Sequence, residues 1–477
     1  MISDVFYFCR GRGRTVNDTA LLSGDVRLLT LKIAAPSVAA MLASSACQLL
    51  EALVLSQKNA ALSTAVGASF ALILLEQTIG FTLGMGAGSF VSRCIGRAVG
   101  AKPPAHPKGR SQTSEAAEQT AGAAFFSALL LSGLLLLGGF FLAGPLLRLL
   151  GASENAVAAG VPYARYVLAS GPLLCGGLVL SSLLRAQGKT LPNMAAALIG
   201  SSIGTALLFF LCFRMNLGVH GAGLAMLARE AVTLAVLMIY ASRRTELIRP
   251  SLRRARFTLP VFAEIMRSGL PTLLRQGATS LSAAMLSRVS AGFGAPVLAG
   301  MGLCARAVMP FTSAVIGFGQ GFQPVCGAAF GANQRTRCRT AYRFCRRILL
   351  GFSLLSGAVF FFLVPTLTAR FAPDAQTADV ARAAIRLQSL AFSAQSAVIL
   401  MTMLTQAAGQ TVRASLVATS RQGLFFLPLL MLLPRFFGLW GLLACQSVSD
   451  WMALGFSAKL LKSAFNSSGT VSSKGKP

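Results

Sequence analysis

About twelve times along its length, this chain runs through an apolar stretch of roughly 20 residues or more, the length a helix needs to cross a bilayer. These runs lie at 31–55, 64–92, 120–143, 159–184, 191–213, 219–242, 270–293, 297–330, 346–368, 380–406, 414–433 and 438–460. Of the 477 residues 54% are apolar and 12% are charged. The charged share is about half the ~25% usual in soluble domains. In water such a chain would lack polar residues to cover its surface; in lipid the outside can stay apolar. Only helices or closed barrels satisfy the backbone there, and runs of this length specify helices. The expected fold class is an all-α membrane protein with twelve transmembrane helices.

A net charge of +29 would suit a nucleic-acid binder, but the placement of the charge argues otherwise. One set of alternate loops carries Arg93, Arg97, Lys102, Lys108 and Arg110, then Arg185 and Lys189. It continues with Arg243, Arg244, Arg249, Arg253, Arg254 and Arg256, then Arg335, Arg337, Arg339, Arg343, Arg346 and Arg347, then Arg413. The opposite set has Lys58, Arg148, Arg214, Arg370 and Arg435. This is the positive-inside pattern; it puts both termini on the cytoplasmic side and predicts no nucleic-acid partner. Residues 1–27 are polar and basic, without the apolar core of a cleavable signal, and read as a cytoplasmic tail; 463–477 read as a second.

The chain repeats itself. Pro36 in "LKIAAPSVAAML" corresponds to Pro271 in "MRSGLPTLLRQG", and "GMGAG" at Gly84–Gly88 to "GFGQG" at Gly317–Gly321. "LLRAQGKT" corresponds to "LTQAAGQT", and Gly218, Gly221 and Glu230 recur 220 positions on as Gly438, Gly441 and Asp450. Six spans per repeat is an even number, so the halves run parallel, related by an axis along the membrane normal. The reading is an N-lobe over 28–242, an Arg-rich connector over 243–269 and a C-lobe over 270–462. Within the connector, 258–268 reads as an amphipathic interfacial helix.

The ten cysteines are scattered and form no CxxC pair, and His106 and His220 have too few partners for a metal site. No Walker A, HExxH or GxSxG pattern occurs, so no enzyme, cofactor or catalytic residue is expected. Four acids, Glu51, Glu76, Glu230 and Asp450, fall inside apolar spans. A carboxylate at membrane depth is costly and usually faces a partner or a wet cavity. Proton exchange is one function of such groups; pairing with Arg229, Arg275, Arg288, Arg306 or Arg421 is the structural alternative. Glu230 and Asp450 are repeat-equivalent and read as structural charges, together with Arg306 and Arg421. Glu51 and Glu76, without such counterparts, read as cation-coupling candidates, Glu51 as the main coupling carboxylate and Glu76 as a second; Glu51 has no neighbouring charge in its own span. Gln48, Arg275, Gln276, Gln320 and Gln323 are candidates to line a substrate cavity; Gln320 and Gln323 could instead bond between helices. The glycine clusters, including Gly200–Gly204, suggest close helix contact.

"MRSGLPTLLRQGATSLSAAMLSRV" followed by "GMGLCARAVMPFTSAVIGFGQGFQPVCGAAFGAN" resembles spans seven and eight of the MATE (multidrug and toxic compound extrusion) family, above all its bacterial MepA-like branch. "GFTLGMGAGSFVSRCIGRAVGAK", "LLRAQGKTLPNMA" and "LGVHGAGLA" fit the first half. The resemblance covers about 28–460. It implies two six-helix lobes around a central cavity in the bacterial plasma (inner) membrane. It further implies a monomeric antiporter that exports organic cations in exchange for H+ or Na+. Glu51 matches an acid that the family carries late in the first span. The family's span-five Asn and Asp fall at Gly204 and Leu208, and a span-six Thr near Met226, so most polar partners of that cation site are absent. Two rivals remain: an exporter or flippase of a lipid-linked or anionic metabolite, and a non-transporting relative.

Overall fold

The computed structural model describes residues 21–22, 24–58, 60–100, 108–149, 154–242, 259–371 and 374–466. Nearly all are helical, and no strand occurs among them. His106, most of both tails and residues 243–258 of the connector lie outside the described residues.

The first half runs α1 (Val26–Lys58), α2 (Ala60–Gly100), α3 (Lys108–Phe141), a short α4 (Ala143–Leu149) and α5 (Glu154–Ala186). Next come α6 (Leu191–Phe209), which continues as a π turn over Phe210–Arg214, and α7 (Gly218–Ala241). The second half runs α8 (Leu259–Gly292), α9 (Ala295–Gly331), α10 (Arg335–Phe371), α11 (Ala375–Ser389) and α12 (Phe392–Ala407). It ends with α13 (Thr411–Thr419), a π turn over Ser420–Leu424, and α14 (Phe426–Asn466). Together α11 and α12 make one span bent by 54°. Gly438, at φ 55° and ψ −134°, divides α14, so the part before it completes the span begun by α13 and the rest is the last span. With α8, which is long enough to cross although its arginines lower its hydropathy, the total among the described residues is twelve, six in each half.

The structure revises one sequence expectation and adds two details to others. The interfacial helix at 258–268 and the span at 270–293 are one 34-residue helix, α8, roughly 50 Å long. Pro271 lies inside it; a proline forfeits one backbone bond and need only bend a helix. The amphipathic pattern of 259–268 has another cause: Ile265 and Gly269 press against α2 in the protein, not against the lipid interface. The span read at 380–406 is bent. The eleventh and twelfth spans are joined through Gly438 without an ordinary loop.

Within the N-lobe α5 packs on α2, α3 and α7, and α6 packs on α7; within the C-lobe α9 packs on α11 and α12, and α8 on α13. Between lobes α1 meets α9, and α2 meets both α8 and α9. These meetings occur at one end, the end bearing the Arg-rich loops, and glycines make them possible. A Cβ on Gly86 would collide with the Ile265 carbonyl, and one on Gly269 with the Thr82 carbonyl. Gly96 and Gly331 face the carbonyls of Ala328 and Arg93 in the same way, and Gly317 and Gly321 lie against the backbone of α1 at Ser37–Val38 and Ala34. Toward the other end of α8 and α9, Gly277, Gly292 and Gly302 have open space around them and few of the residues beside them are buried. The lobes therefore form a V closed at the basic end.

A side chain in this seam should pry it open. Gly86→Leu and Gly269→Leu are expected to lengthen the distance between spin labels placed across the basic ends of the two lobes. Gly302→Leu, in open space, should leave it unchanged. Equal distances in all three variants would mean that backbone contact does not hold the lobes together.

Candidate functional site

Three of the four intramembrane acids converge in the N-lobe. Arg229 of α7 grips Glu51 of α1 with one Nη1, at 2.7 Å from Oε1 and 2.8 Å from Oε2, while its Nε donates to Glu230 Oε1 at 2.9 Å. The sequence places no charge next to Glu51; the structure brings one from 178 residues away. Gly204 of α6 explains how. Its absent side chain leaves a groove that the Arg229 stem fills, a Cβ there lying 2.7 Å from the Arg229 Cβ. Gly200, one turn earlier, lets Thr233 in likewise. The groove thus opens where the family resemblance puts an asparagine. Leu208 and Met226, at the other two such positions, are buried apolar residues.

Glu76 of α2 lies close enough to feel Glu230 but outside this network. It is 1% exposed, and neither carboxyl oxygen has a hydrogen-bond partner among the described residues. Gly171 of α5 packs directly on the carboxyl, a Cβ there falling 2.5 Å from Oε1. An uncompensated charge in such a place would cost many kcal/mol, and a bound proton removes it.

The C-lobe holds a counterpart of opposite sign. Asp450 of α14 is fully buried; its Oδ1 accepts from Arg421 Nε at 2.7 Å and from Gln446 Nε2 at 2.9 Å, and its Oδ2 has no partner. Arg421 sits in a π turn whose carbonyls also receive side-chain donors. Ser449 caps that of Arg421 at 2.6 Å and Ser282 that of Gln422 at 2.5 Å. Arg275 of α8 lies within electrostatic reach of Arg421, and no acid pairs with it among the described residues. Arg288 and Arg306 are exposed. Arg306, expected as a structural charge, has no ion pair among the described residues and is exposed on α9.

The remaining expected positions divide between the two ends. Gln48, Arg275 and Gln276 are exposed or half-buried on the diverging parts of α1 and α8. Gln320 and Gln323, also expected in the cavity, are buried in the closed seam instead, and Gln323 Nε2 donates to Ser89 Oγ across the lobes at 2.9 Å. The reason is their register on α9: they lie beside Gly321, whose missing side chain lets the backbone of α1 at Ala34 come into contact. Among the described residues no group of His, Cys, Asp and Glu could hold a metal ion.

A family model described as MatE matches residues 36–210 and 271–432. A multidrug export protein MepA of Staphylococcus saprophyticus is 23% identical over 395 residues, spanning 82% of this chain and 84% of that protein. The protein of the same name from Staphylococcus aureus is 22% identical over similar shares. Among solved structures, an outward-facing multidrug resistance transporter superimposes with a TM-score of 0.84 at 20% identity, covering 94% of this chain and all of that one. A transporter from Pyrococcus furiosus, described as having a binding pocket of reverse polarity, gives 0.85 at 20% identity, covering 95% and 98%.

Proposed function

The chain belongs to the MatE family, a membrane transporter and not an enzyme, and we propose that it exports organic cations by alternating access in exchange for protons. The lobes are closed at the basic end; with the Arg-rich loops cytoplasmic by the positive-inside rule, the V faces outward. Both termini are then cytoplasmic and the protein sits in the bacterial plasma membrane as a monomer. Multidrug export proteins similar over four-fifths of the chain support the substrate class. The observation that carries the coupling ion is Glu76, a buried carboxyl whose oxygens no side chain among the described residues satisfies. It is the proton carrier in this reading. Glu51 is already paired with Arg229, whose guanidinium fills the place that Na+ would take. Each proton entering down about 100 mV contributes roughly 2.3 kcal/mol to uphill export.

A second reading has its own support. The C-lobe arginines Arg275 and Arg421, of which only Arg421 has an acid partner among the described residues, would suit an anionic or lipid-linked substrate. One experiment separates the two: proteoliposomes containing the protein, a fluorescent organic cation, and imposed H+ and then Na+ gradients, repeated with an anionic amphiphile. Cation movement driven by H+ alone is expected. Movement of the anion only would replace this reading with the second, and movement driven by Na+ alone would remove Glu76 from its role.

A further inference from the structure

The buried arginines of this protein differ in one respect. Arg93 is 8% exposed and meets Glu264 at 3.8 Å, the Gln406 carbonyl and Ser268. Arg229 and Arg421 each have an acid. Arg185, in the last turn of α5, is 5% exposed, and its one hydrogen bond among the described residues runs from Nη2 to Ser182 Oγ at 2.9 Å. No carboxylate among the described residues lies within electrostatic reach of it. A buried charge left without a counter-charge is strongly destabilising, so a guanidinium in this position calls for an anion.

The space for one is present. Arg185 borders a cavity of about 20 Å³ between the lobes, lined also by Ser89, Ser92, Ser182, Gln320 and Gln323. That is enough for a single water-sized occupant. Two further donors face it. The Ser89 hydroxyl accepts from Gln323 and gives its own proton to no acceptor among the described residues. Gln320 has an amide oxygen buried without a partner, and turning that amide offers its NH2 group to the cavity.

The repeat supplies an internal comparison. "LLRAQGKT" and "LTQAAGQT" place Gln406 of the second half opposite Arg185 of the first. The Gln406 amide donates to the Ser268 carbonyl at 3.2 Å and to Thr272 Oγ1 at 3.0 Å. A neutral amide thus completes this corner of the C-lobe, and packing alone does not demand a charge at its equivalent.

We propose that this cavity binds a monovalent anion of about chloride size, held by Arg185 with Ser89 and Gln320. Its donors come from α2 and α5 of one lobe and α9 of the other. Separating the lobes at the basic end would withdraw the α9 donor, so the anion binds the closed-seam state and shifts the carrier toward it. The site is independent of substrate and coupling ion.

Thermal unfolding of the purified full-length protein, titrated with sodium chloride against sodium gluconate at constant ionic strength, tests the site. Chloride and bromide are expected to raise the midpoint by several degrees and to saturate, while gluconate does nothing. Arg185→Gln, which copies Gln406, should abolish the response. Gln320→Leu should weaken the chloride affinity about tenfold, the loss expected for one charge-assisted hydrogen bond. Wild-type protein that melts alike in both salts would overturn the proposal, the cavity then holding water alone or Arg185 meeting an acid of the chain itself. An undiminished chloride response in Arg185→Gln would also overturn it; should that variant not fold, an unweakened response in Gln320→Leu decides equally against it.

Discussion

Glu76→Gln is expected to abolish proton-driven export, lowering efflux under an imposed pH gradient at least about tenfold, as befits an intramembrane acid in a proton relay, while the protein folds as before. Folding survives because glutamine keeps the volume of the carboxylic acid, and the pocket against Gly171 is shaped to that volume. No ion pair is broken, since neither oxygen of Glu76 has a partner among the described residues. What is lost is the ability to give up a proton when the surroundings open to water. Glu76→Asp, which keeps the carboxyl on a shorter stem, should retain part of the activity. Measuring efflux of a fluorescent cation from proteoliposomes with an inward proton gradient checks both variants, with melting as the folding control. Wild-type efflux from the Gln variant would mean that the proton travels elsewhere.

The second large effect is expected at Arg229. Arg229→Ala leaves Glu51 and Glu230 facing each other without their shared counter-charge. Removing one partner of a buried pair typically costs about 3–5 kcal/mol. The variant should therefore melt well below the wild type. It should also acquire a property that the wild type lacks: two carboxylates around an emptied groove will attract a small cation, so Na+ should recover stability relative to choline at the same ionic strength. In the wild type the guanidinium occupies that place, and the two salts should act alike. A wild type already stabilised by Na+ would place a cation site elsewhere in the lobes. An Arg229→Ala variant as stable as the wild type would mean that the Glu51 pair carries little energy.

Much of this architecture was legible in the sequence because lipid imposes a simple rule on it. Span number, the parallel halves and the loop charge follow from apolar length and arginine placement, and the glycine clusters foretold close contact. The α8 helix was harder to delimit, since Arg267, Arg275 and Arg288 lower its hydropathy and its first ten residues look interfacial. Their apolar face is satisfied by α2, a contact no local pattern reveals. The division of α14 at Gly438 was marked only as a repeat of Gly218; both adopt positive φ, near 55°. In the site, Glu76 could be found as an acid in an apolar run, but not its lack of partners. The grip of Arg229 on Glu51 was hidden by sequence distance. The one local sign of it was an absence, the glycine at 204 where the family resemblance puts an asparagine, and its meaning depends on what fills the space. Gln320 and Gln323 were legible as polar groups in an apolar helix. Which end of the V they occupy depends on where the lobes touch.

The seam at the basic end is built from backbone against backbone, with glycines at Gly86, Gly96, Gly269, Gly317, Gly321 and Gly331. Its strength is therefore set in methyl-sized steps. A single alanine at any of these positions would displace the resting balance between the two faces of the carrier without altering a residue that touches cargo. Drift at the seam gives such a protein a way to trade speed against retention, and lineages exposed to different toxins could retune turnover there while leaving their choice of compound intact.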